Sequence, residues 1–403
     1  MRWASVLLFV TAACTQAGAS EEWFDRLEQR LSFSAADDTL RVRLGGLLSL
    51  EDHQIEPPPP GLLFTNGHNL FSPRLGLTLQ GQSGPELFGF ALVRVDRGFN
   101  PANARLRVRL DEYALTYVPT HLKGLNFKVG QFATVIGNWV PRHDAWDNPF
   151  ITAPLPYEHQ TPVYDSEAPS TPADFVHLEA DEKYDYLPIL WGPSYATGAS
   201  VSGLLGHFEF AAEIKNAGPA SRPEVWSIRD LGFSRPSYSA RLGFRPDLRW
   251  SLGVSAGDSA YLVPFAANLP PGTSRHDYRQ RLLGADLGFA WHHLQVWAEG
   301  FDSTFDVPRI GHVRTRAAYV ETKYRFSAEW YGALRWNRQD FSRIGDGRGG
   351  RMRWGQGIWR LDAAAGFRLS PHAECKVQLS GQPAAGDPDR VNPHLATQFN
   401  VRF

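Results

Sequence analysis

Four places in the chain carry residue types that chemistry uses. GDGRGG, Gly345 to Gly350, has the glycine density of a phosphate-cradling loop. The Lys-Ser/Thr pair that follows in a nucleotide-binding P-loop is missing, so the stretch reads as a flexible turn. His292-His293 offers two imidazoles to a metal, but no cysteine or third ligand stands near it, and a polar turn accounts for it. His143 with Asp144 and Asp147, and His159 with Glu158, imitate part of a hydrolase constellation. Catalysis also needs a nucleophile held by an oriented base, and no serine sits in a recognisable elbow. The sequence therefore predicts no enzyme, no metal and no cofactor.

What remains is charge arranged for electrostatics. Residues 133–194 hold Asp144, Asp147, Glu158, Asp165, Glu167, Asp174, Glu179, Asp181, Glu182 and Asp185 against only Arg142 and Lys183. Basic side chains recur instead at one face of alternating stretches: Arg41, Arg43, Arg107, Arg109, Arg241, Arg335, Arg360 and Arg368. An acidic segment brought against a basic wall across a narrow watery gap would create a field that salt only partly screens. Such a field orients dipolar solutes and excludes apolar ones. Glu209, Glu213, Asp286, Glu299, Glu321, Asp362 and Glu374 share the arginine face and dilute it. No dense lysine cluster or ordered arginine ladder demands phosphate as the solute. The competing account is simpler: solvated charges on an external loop, with arginines scattered on a wet wall.

The elements that must position these residues are strands. The chain has 403 residues, 41 basic and 42 acidic side chains, 21% charged residues and 13% aromatics. That is neither a disordered nor a helical composition, and the balance of charge suggests no nucleic-acid partner. The mean hydropathy of −0.32 disfavours a helical membrane protein. It leaves a barrel open, because a barrel strand places only every second residue in lipid. Sixteen alternating stretches follow one another: Leu40–Leu50, Pro73–Gly81, Leu87–Asp96, Leu106–Tyr117, Leu125–Phe132, Tyr195–Leu204, His207–Asn216, Tyr238–Arg245, Leu248–Gly257, Leu282–Trp291, Leu294–Phe301, Arg316–Phe326, Glu329–Asp340, Gly357–Leu369, Ala373–Gln382 and Pro393–Phe403. Tyr238, Ala240, Leu242 and Phe244, for example, oppose Ser239, Arg241 and Arg245.

The links between strands sort by parity. Long ones such as His53–Leu70, Thr134–Ser194, Ala217–Ser237, Asp258–Arg281 and Phe341–Gln356 take turns with Gly206, Pro246-Asp247, His292-His293, Ser327-Ala328 and Ser370-Pro371-His372. A soluble sandwich has no reason for that order. A barrel in an outer membrane does, with tight periplasmic turns and long extracellular loops. Phe244, Trp250, Trp291, Phe326 and Trp330 flank the short turns, where an interfacial girdle belongs. The expected fold is all-β: a transmembrane antiparallel barrel of about 16 strands enclosing a wide, wet lumen.

The ends agree. Residues 1–20, MRWASVLLFVTAACTQAGAS, have the basic start, short apolar core and small residues of a signal peptide cleaved near Ala19 or Ser20. Cys14 lacks the usual leucine of a lipoprotein site, since Thr11 stands there; after cleavage only Cys375 remains, and no disulfide can form within the chain. Residues 21–38 form a short periplasmic segment, with Trp23, Phe24, Leu27 and Leu31 at helical spacing. The barrel occupies 39–403. Its last stretch, HLATQFNVRF, puts Leu395, Thr397, Phe399, Val401 and Phe403 on one face. That pattern resembles the terminal strand of bacterial outer-membrane barrels, which implies that the barrel-assembly machinery recognises Phe403.

At this point the chain resembles the sixteen-stranded diffusion porins. KVGQF, Lys128 to Phe132, with Gly137 shortly after, and the amino-terminal helix are similar to the phosphate-selective porin O and P superfamily. The resemblance implies a homotrimer in outer-membrane lipid and lipopolysaccharide. It also implies that the third extracellular loop, 133–194, folds into the barrel and narrows the pore. That would make Arg142, Asp144, Asp147, Glu158, Asp165 and Glu167 constriction residues. Trp139, Trp146, Phe150, Ile151, Leu155 and Tyr157 would anchor the loop. The expected function is passive diffusion of small hydrophilic or charged solutes. The rival is a structural barrel that sheaths or docks an electron-transfer or export partner.

Overall fold

The structure is a computed structural model that describes residues 17–403 apart from 36, 58, 64, 66, 99–105, 123, 178–184, 228–234 and 385–386. Most of the expected signal peptide, Cys14 included, lies outside the described residues, as do Glu179, Asp181, Glu182 and Lys183. Helix α1 (Ala17–Arg30) begins earlier than its apolar spacing implies, and is followed by a short strand, Ser32–Ala35.

Sixteen strands then close a ring: β1 (Leu40–Ile55), β2 (Asn69–Ser83), β3 (Leu87–Asp96), β4 (Arg107–Tyr117), β5 (Leu125–Phe132), β6 (Ala196–Leu205), β7 (Phe208–Lys215), β8 (Ser237–Phe244), β9 (Trp250–Ala260), β10 (Arg279–Trp291), β11 (Leu294–Val307), β12 (Gly311–Arg325), β13 (Trp330–Phe341), β14 (Ile358–Ser370), β15 (Ala373–Ala384) and β16 (Asp387–Arg402). Each pairs antiparallel with its sequence neighbours, and β16 pairs with β1 from His394↔Ile55 to Arg402↔Leu47. The ring leaves no open edge.

Every expected strand is present, and the girdle residues Phe244, Trp250, Trp291, Phe326 and Trp330 all stand exposed on the outer face. At one end all links are short. Gly206-His207 and His292-His293 are two-residue turns, and Gly206 (φ 61°) and His292 (φ 52°) take the left-handed backbone that such turns require. At the other end the links are long, with two exceptions. The link between β11 and β12 is only 308–310, and that between β15 and β16 only 385–386.

The first exception has a physical cause. Beyond Phe301 and Arg316 the pattern inverts: Phe305, Val307 and Val313 turn inward to an apolar cluster, while Asp302, Asp306, Arg314 and Arg316 face outward. Inversion of the pattern resembles a loop in sequence, so the expected boundaries fall short. A small hairpin, Arg343–Gly345 with Arg351–Arg353, stands in the link 342–357.

The chain terminus closes the seam. Gly46 N donates to Phe403 O at 2.8 Å and Phe403 N to Gly46 O at 3.0 Å. The Phe403 ring fills the space over Gly46, where any Cβ would overlap it. Below, Ser32–Ala35 continues along the edge of β1 that β16 leaves free, pairing Ser32↔Arg43 through Ala35↔Leu40.

Candidate functional site: a lumen divided by one loop

Segment 133–195 leaves β5, crosses the lumen and returns to β6, as the sequence predicts. Its first half is fastened in chain order along eight successive strands. On β9 and β10, Gly137 N donates to Ser255 Oγ at 3.3 Å and Asn138 Nδ2 to Leu287 O at 2.9 Å. On β11, Glu299 accepts the backbone N–H groups of Asn138 and Trp139 and, at 2.6 Å, the Tyr157 hydroxyl. Arg142 pairs with Glu321 of β12. Leu155 N donates to Asn337 Oδ1 of β13 at 3.1 Å, and Glu158 pairs with Arg360 of β14. On β15, Gln378 Oε1 accepts Ile151 N at 2.7 Å, and on β16 Asn400 Nδ2 donates to Ala145 O at 2.9 Å. An irregular segment placed inside a barrel must find partners for its backbone, and this wall supplies them. Trp139, Trp146, Phe150, Ile151, Leu155 and Tyr157 are all buried.

The second half rises into a roof. Val163, Phe175, Leu187, Trp191 and Tyr195 pack with Ala217, Ala220 and Trp226 of the 216–236 link, Tyr261 and Leu262 of 261–278, and Ile344 and Trp354 of 342–357. The short helices Leu155–Glu158 and Pro172–His177 belong to this segment.

The cavity that remains is eccentric. Its volume is about 620 Å³, and it runs between the loop and the inner face of β1–β4. Glu51, Arg74, Arg94, Glu112 and Arg43 line the strand side, and Trp139, His143, Asp144, Trp146, Asp147 and Glu158 the loop side. Arg402 and Gln398 of β16 complete it. The strand side is preset by ion pairs: Arg74 with Glu51, Arg94 with Asp111 at 3.1 Å, and Arg109 with Asp96 at 3.0 Å. On the loop, Asp144 accepts the N–H groups of Trp146 (2.8 Å) and Asp147 (2.9 Å), which holds a tight turn. Burial pushes the Asp147 carboxyl up from its ordinary range, and neighbouring Asp144 adds to the shift.

The expected site residues separate into three groups. Asp144, Asp147, Glu158 and Arg43 line the cavity. Arg335 and Arg360 point inward but lie beneath the loop: Arg335 contacts Asp362 at 2.8 Å and donates to Thr152 O at 3.1 Å, and Arg360 holds Glu158. They are fastenings rather than pore surface, and Arg142 is a third. Arg241 is likewise engaged, by Asp286 at 2.7 Å and by Glu209.

Arg368 stands over the Trp146 ring, at 5.3 Å. Arg41 is exposed near the short-turn end, and Arg107 lies at the long-loop rim opposite Asp96. Asp165 and Glu167 are not at the constriction. Asp165 is buried against Arg222 of the 216–236 link at 3.2 Å, because the loop has by then turned up into the roof. Its carboxyl is raised well above its ordinary range, by burial first. Glu167 is exposed and bridges to Ala267.

Arg74 and Arg94 went unremarked in the sequence. Both alternate with outward apolar residues (Pro73 and Leu75, Val93 and Val95), so period two marks them; inward Phe90 and Leu92 obscure the pattern on β3. A bulge at Asp111 shifts the inner face of β4 from Arg107 and Arg109 to Glu112.

The other chemical candidates resolve as local structure. Asp346 accepts the N–H groups of Arg348 and Gly350, which makes GDGRGG a turn. His293 Nδ1 lies 2.9 Å from Arg325 O. His143 lies 2.6 Å from both Val140 O and the Tyr195 hydroxyl, and the His159 ring packs edge-on against Phe341. Among the described residues no group of three or more His, Cys, Asp or Glu could hold a metal ion.

No protein-family model matches the chain, and no curated protein matches it in sequence. Solved structures do. The outer membrane channel DcaP of Acinetobacter baumannii superposes with a TM-score of 0.57 at 11% identity, covering 92% of this chain and 99% of that one. An anion-selective porin from Comamonas acidovorans gives 0.56 at 8% identity over 90% of this chain and all of its own. In-vitro folded OmpT of Vibrio cholerae in its trimer form, an outer membrane protein, gives 0.54 at 10% identity over 91% of this chain and all of its own. At such identity the likeness is one of fold: a closed sixteen-stranded antiparallel barrel of the kind outer-membrane porins have.

Proposed function

We propose that this protein is an outer-membrane porin, a water-filled passage for passive diffusion of small hydrophilic or charged solutes. The observation that carries the reading is the eccentric cavity, lined by charges of both signs, beside a loop fastened to the opposite wall. Asp144 and Asp147 on the loop face a wall bearing Arg74 and Arg94, which supports a transverse field at the narrowest level. Because the protein's own loop and roof occupy the β9–β16 side, little room is left for a sheathed partner chain. The outer face supports the membrane setting, since Leu242, Leu283, Val320, Leu334, Leu361 and Leu379 stand exposed there.

The short-turn end, with α1, is then periplasmic, and residues 1–20 act as the export signal. Phe403, seated on Gly46, serves the barrel-assembly machinery. KVGQF keeps the phosphate-selective porin O and P superfamily as the nearest kin, without its phosphate specificity. A homotrimer accounts for the wall of β2–β4. There Leu106 (65% exposed) and Val108 (73%) are apolar close to the long-loop end, where β9–β13 carry charge.

Single-channel recording from purified, detergent-folded protein in a planar bilayer tests the function. Discrete ohmic steps are expected. Silence from protein shown to be folded and inserted would refute an open pore and favour a barrel that serves a partner.

A further inference from the structure

The outer wall carries a second concavity, of about 500 Å³, unconnected with the lumen. Cross-strand register builds it. Ala285 of β10, Gly300 of β11 and Ala318 of β12 are consecutive neighbours on the outer face, so three small residues form a floor. Leu283 and Trp336 are walls on either side. The next level toward the long-loop end is charged: Asp302, Arg316, Arg338 and Asp340 rim the groove, with Arg314 beside them. One end of the groove is thus greasy and the other basic. It lies where the apolar exterior gives way to charge, which is the level of a lipid headgroup.

The rim is suited to an anion. Arg316 (65% exposed) shares Asp302 with Arg314, so two guanidinium groups meet one carboxylate. Arg338 (49% exposed) reaches only Asp340, at 2.8 Å. Exposed pairs of this kind are weak, and their free N–H groups can turn to a phosphate, whose oxygens accept two parallel bonds from a guanidinium. A second protein copy on this wall would instead have to bury five charges. The apolar wall of β2–β4 suits a copy better.

We propose that this groove binds a phosphorylated, acylated lipid of the outer leaflet, with an acyl chain over Ala285, Gly300 and Ala318 and a phosphate at Arg316 and Arg338. The inference rests on the outer-membrane reading but not on conduction.

The test uses protein refolded in detergent, free of cellular lipid, and native mass spectrometry with lipid A, its dephosphorylated form and inorganic phosphate. Retention of lipid A is expected, with binding at least about tenfold weaker for the dephosphorylated form. A similar loss is expected in the Arg316→Ala/Arg338→Ala double variant and, independently, in Gly300→Leu, which fills the floor. A Cβ at Gly300 meets only the Ala318 Cβ, at 3.9 Å, so the strand tolerates that change. Inorganic phosphate should not displace the lipid. Equal binding by the wild type and both variants, or displacement by phosphate alone, would overturn the site. So would oligomers that Gly300→Leu dissociates, which would assign the wall to a second copy. Conductance measured on the same samples separates the two readings: a conducting protein that ignores lipid A refutes the groove and leaves the pore.

Discussion

Charged side chains inside this barrel meet two fates, and substitutions should tell them apart. Asp147 borders the cavity, and its carboxyl is raised by burial and by Asp144. As pH falls it takes up a proton before ordinary carboxylates do, and the lumen loses a negative charge. The reversal potential under a salt gradient should therefore move toward anions as pH drops from neutral to about 4.5. Asp147→Asn should show that shift already at neutral pH and flatten the titration. A wild-type reversal potential insensitive to both would remove Asp147 from the pore.

Arg335 has the other fate. It lies between Glu321 and Asp362 under the loop. Arg335→Met strands buried carboxylates and should cost about 3 kcal/mol or more in urea unfolding of the detergent-folded protein. Exposed Arg41→Ala should change stability by less than about 0.5 kcal/mol. The sequence marks all these arginines alike, because period two reports the face of a strand. It carries no signal for which inward positions a distant loop will cover.

At the level of elements, strands were far more legible than their ends. Sixteen alternating stretches, a girdle at the short turns and an anchored third loop are local patterns with local causes. Boundaries failed where tertiary structure changed what each face meets, as at Phe305, Val307 and Val313 beneath the roof. Asp165 and Glu167 failed for a related reason: a loop's composition does not show where it turns away from the pore.

Two glycines carry the elements' positions. Gly137 has φ 77°, and a Cβ there would overlap the Glu299 carboxylate and the Tyr157 hydroxyl. Gly137→Val should loosen the start of the loop and give larger, noisier single-channel currents in an otherwise intact barrel. Gly46→Leu should displace the Phe403 ring from the β16–β1 seam and slow refolding, scored by the fraction of heat-modifiable barrel at fixed times.

At the scale of the whole molecule, the barrel is lopsided in two registers. Inside, loop and roof occupy the β9–β16 side and leave the passage against β1–β4. Outside, charge crowns β9–β13 while β2–β4 remain apolar. Val108→Asp with Leu110→Asp should convert oligomers to monomers on a native gel without abolishing conductance.

The central claim is the route of the passage, and one measurement addresses it directly. Cys375 sits on the outer face beside Phe367 and Phe399, so Cys375→Ser supplies a background free of native thiols in the barrel. Single cysteines are then placed at Thr78, which lines the cavity, and at Ser255, which is buried where Gly137 meets β9. A bulky thiol reagent applied during single-channel recording should lower conductance in one step at Thr78→Cys and leave Ser255→Cys unchanged. Block at Ser255→Cys alone, or none at Thr78→Cys after verified labelling, would contradict a passage between the loop and β1–β4.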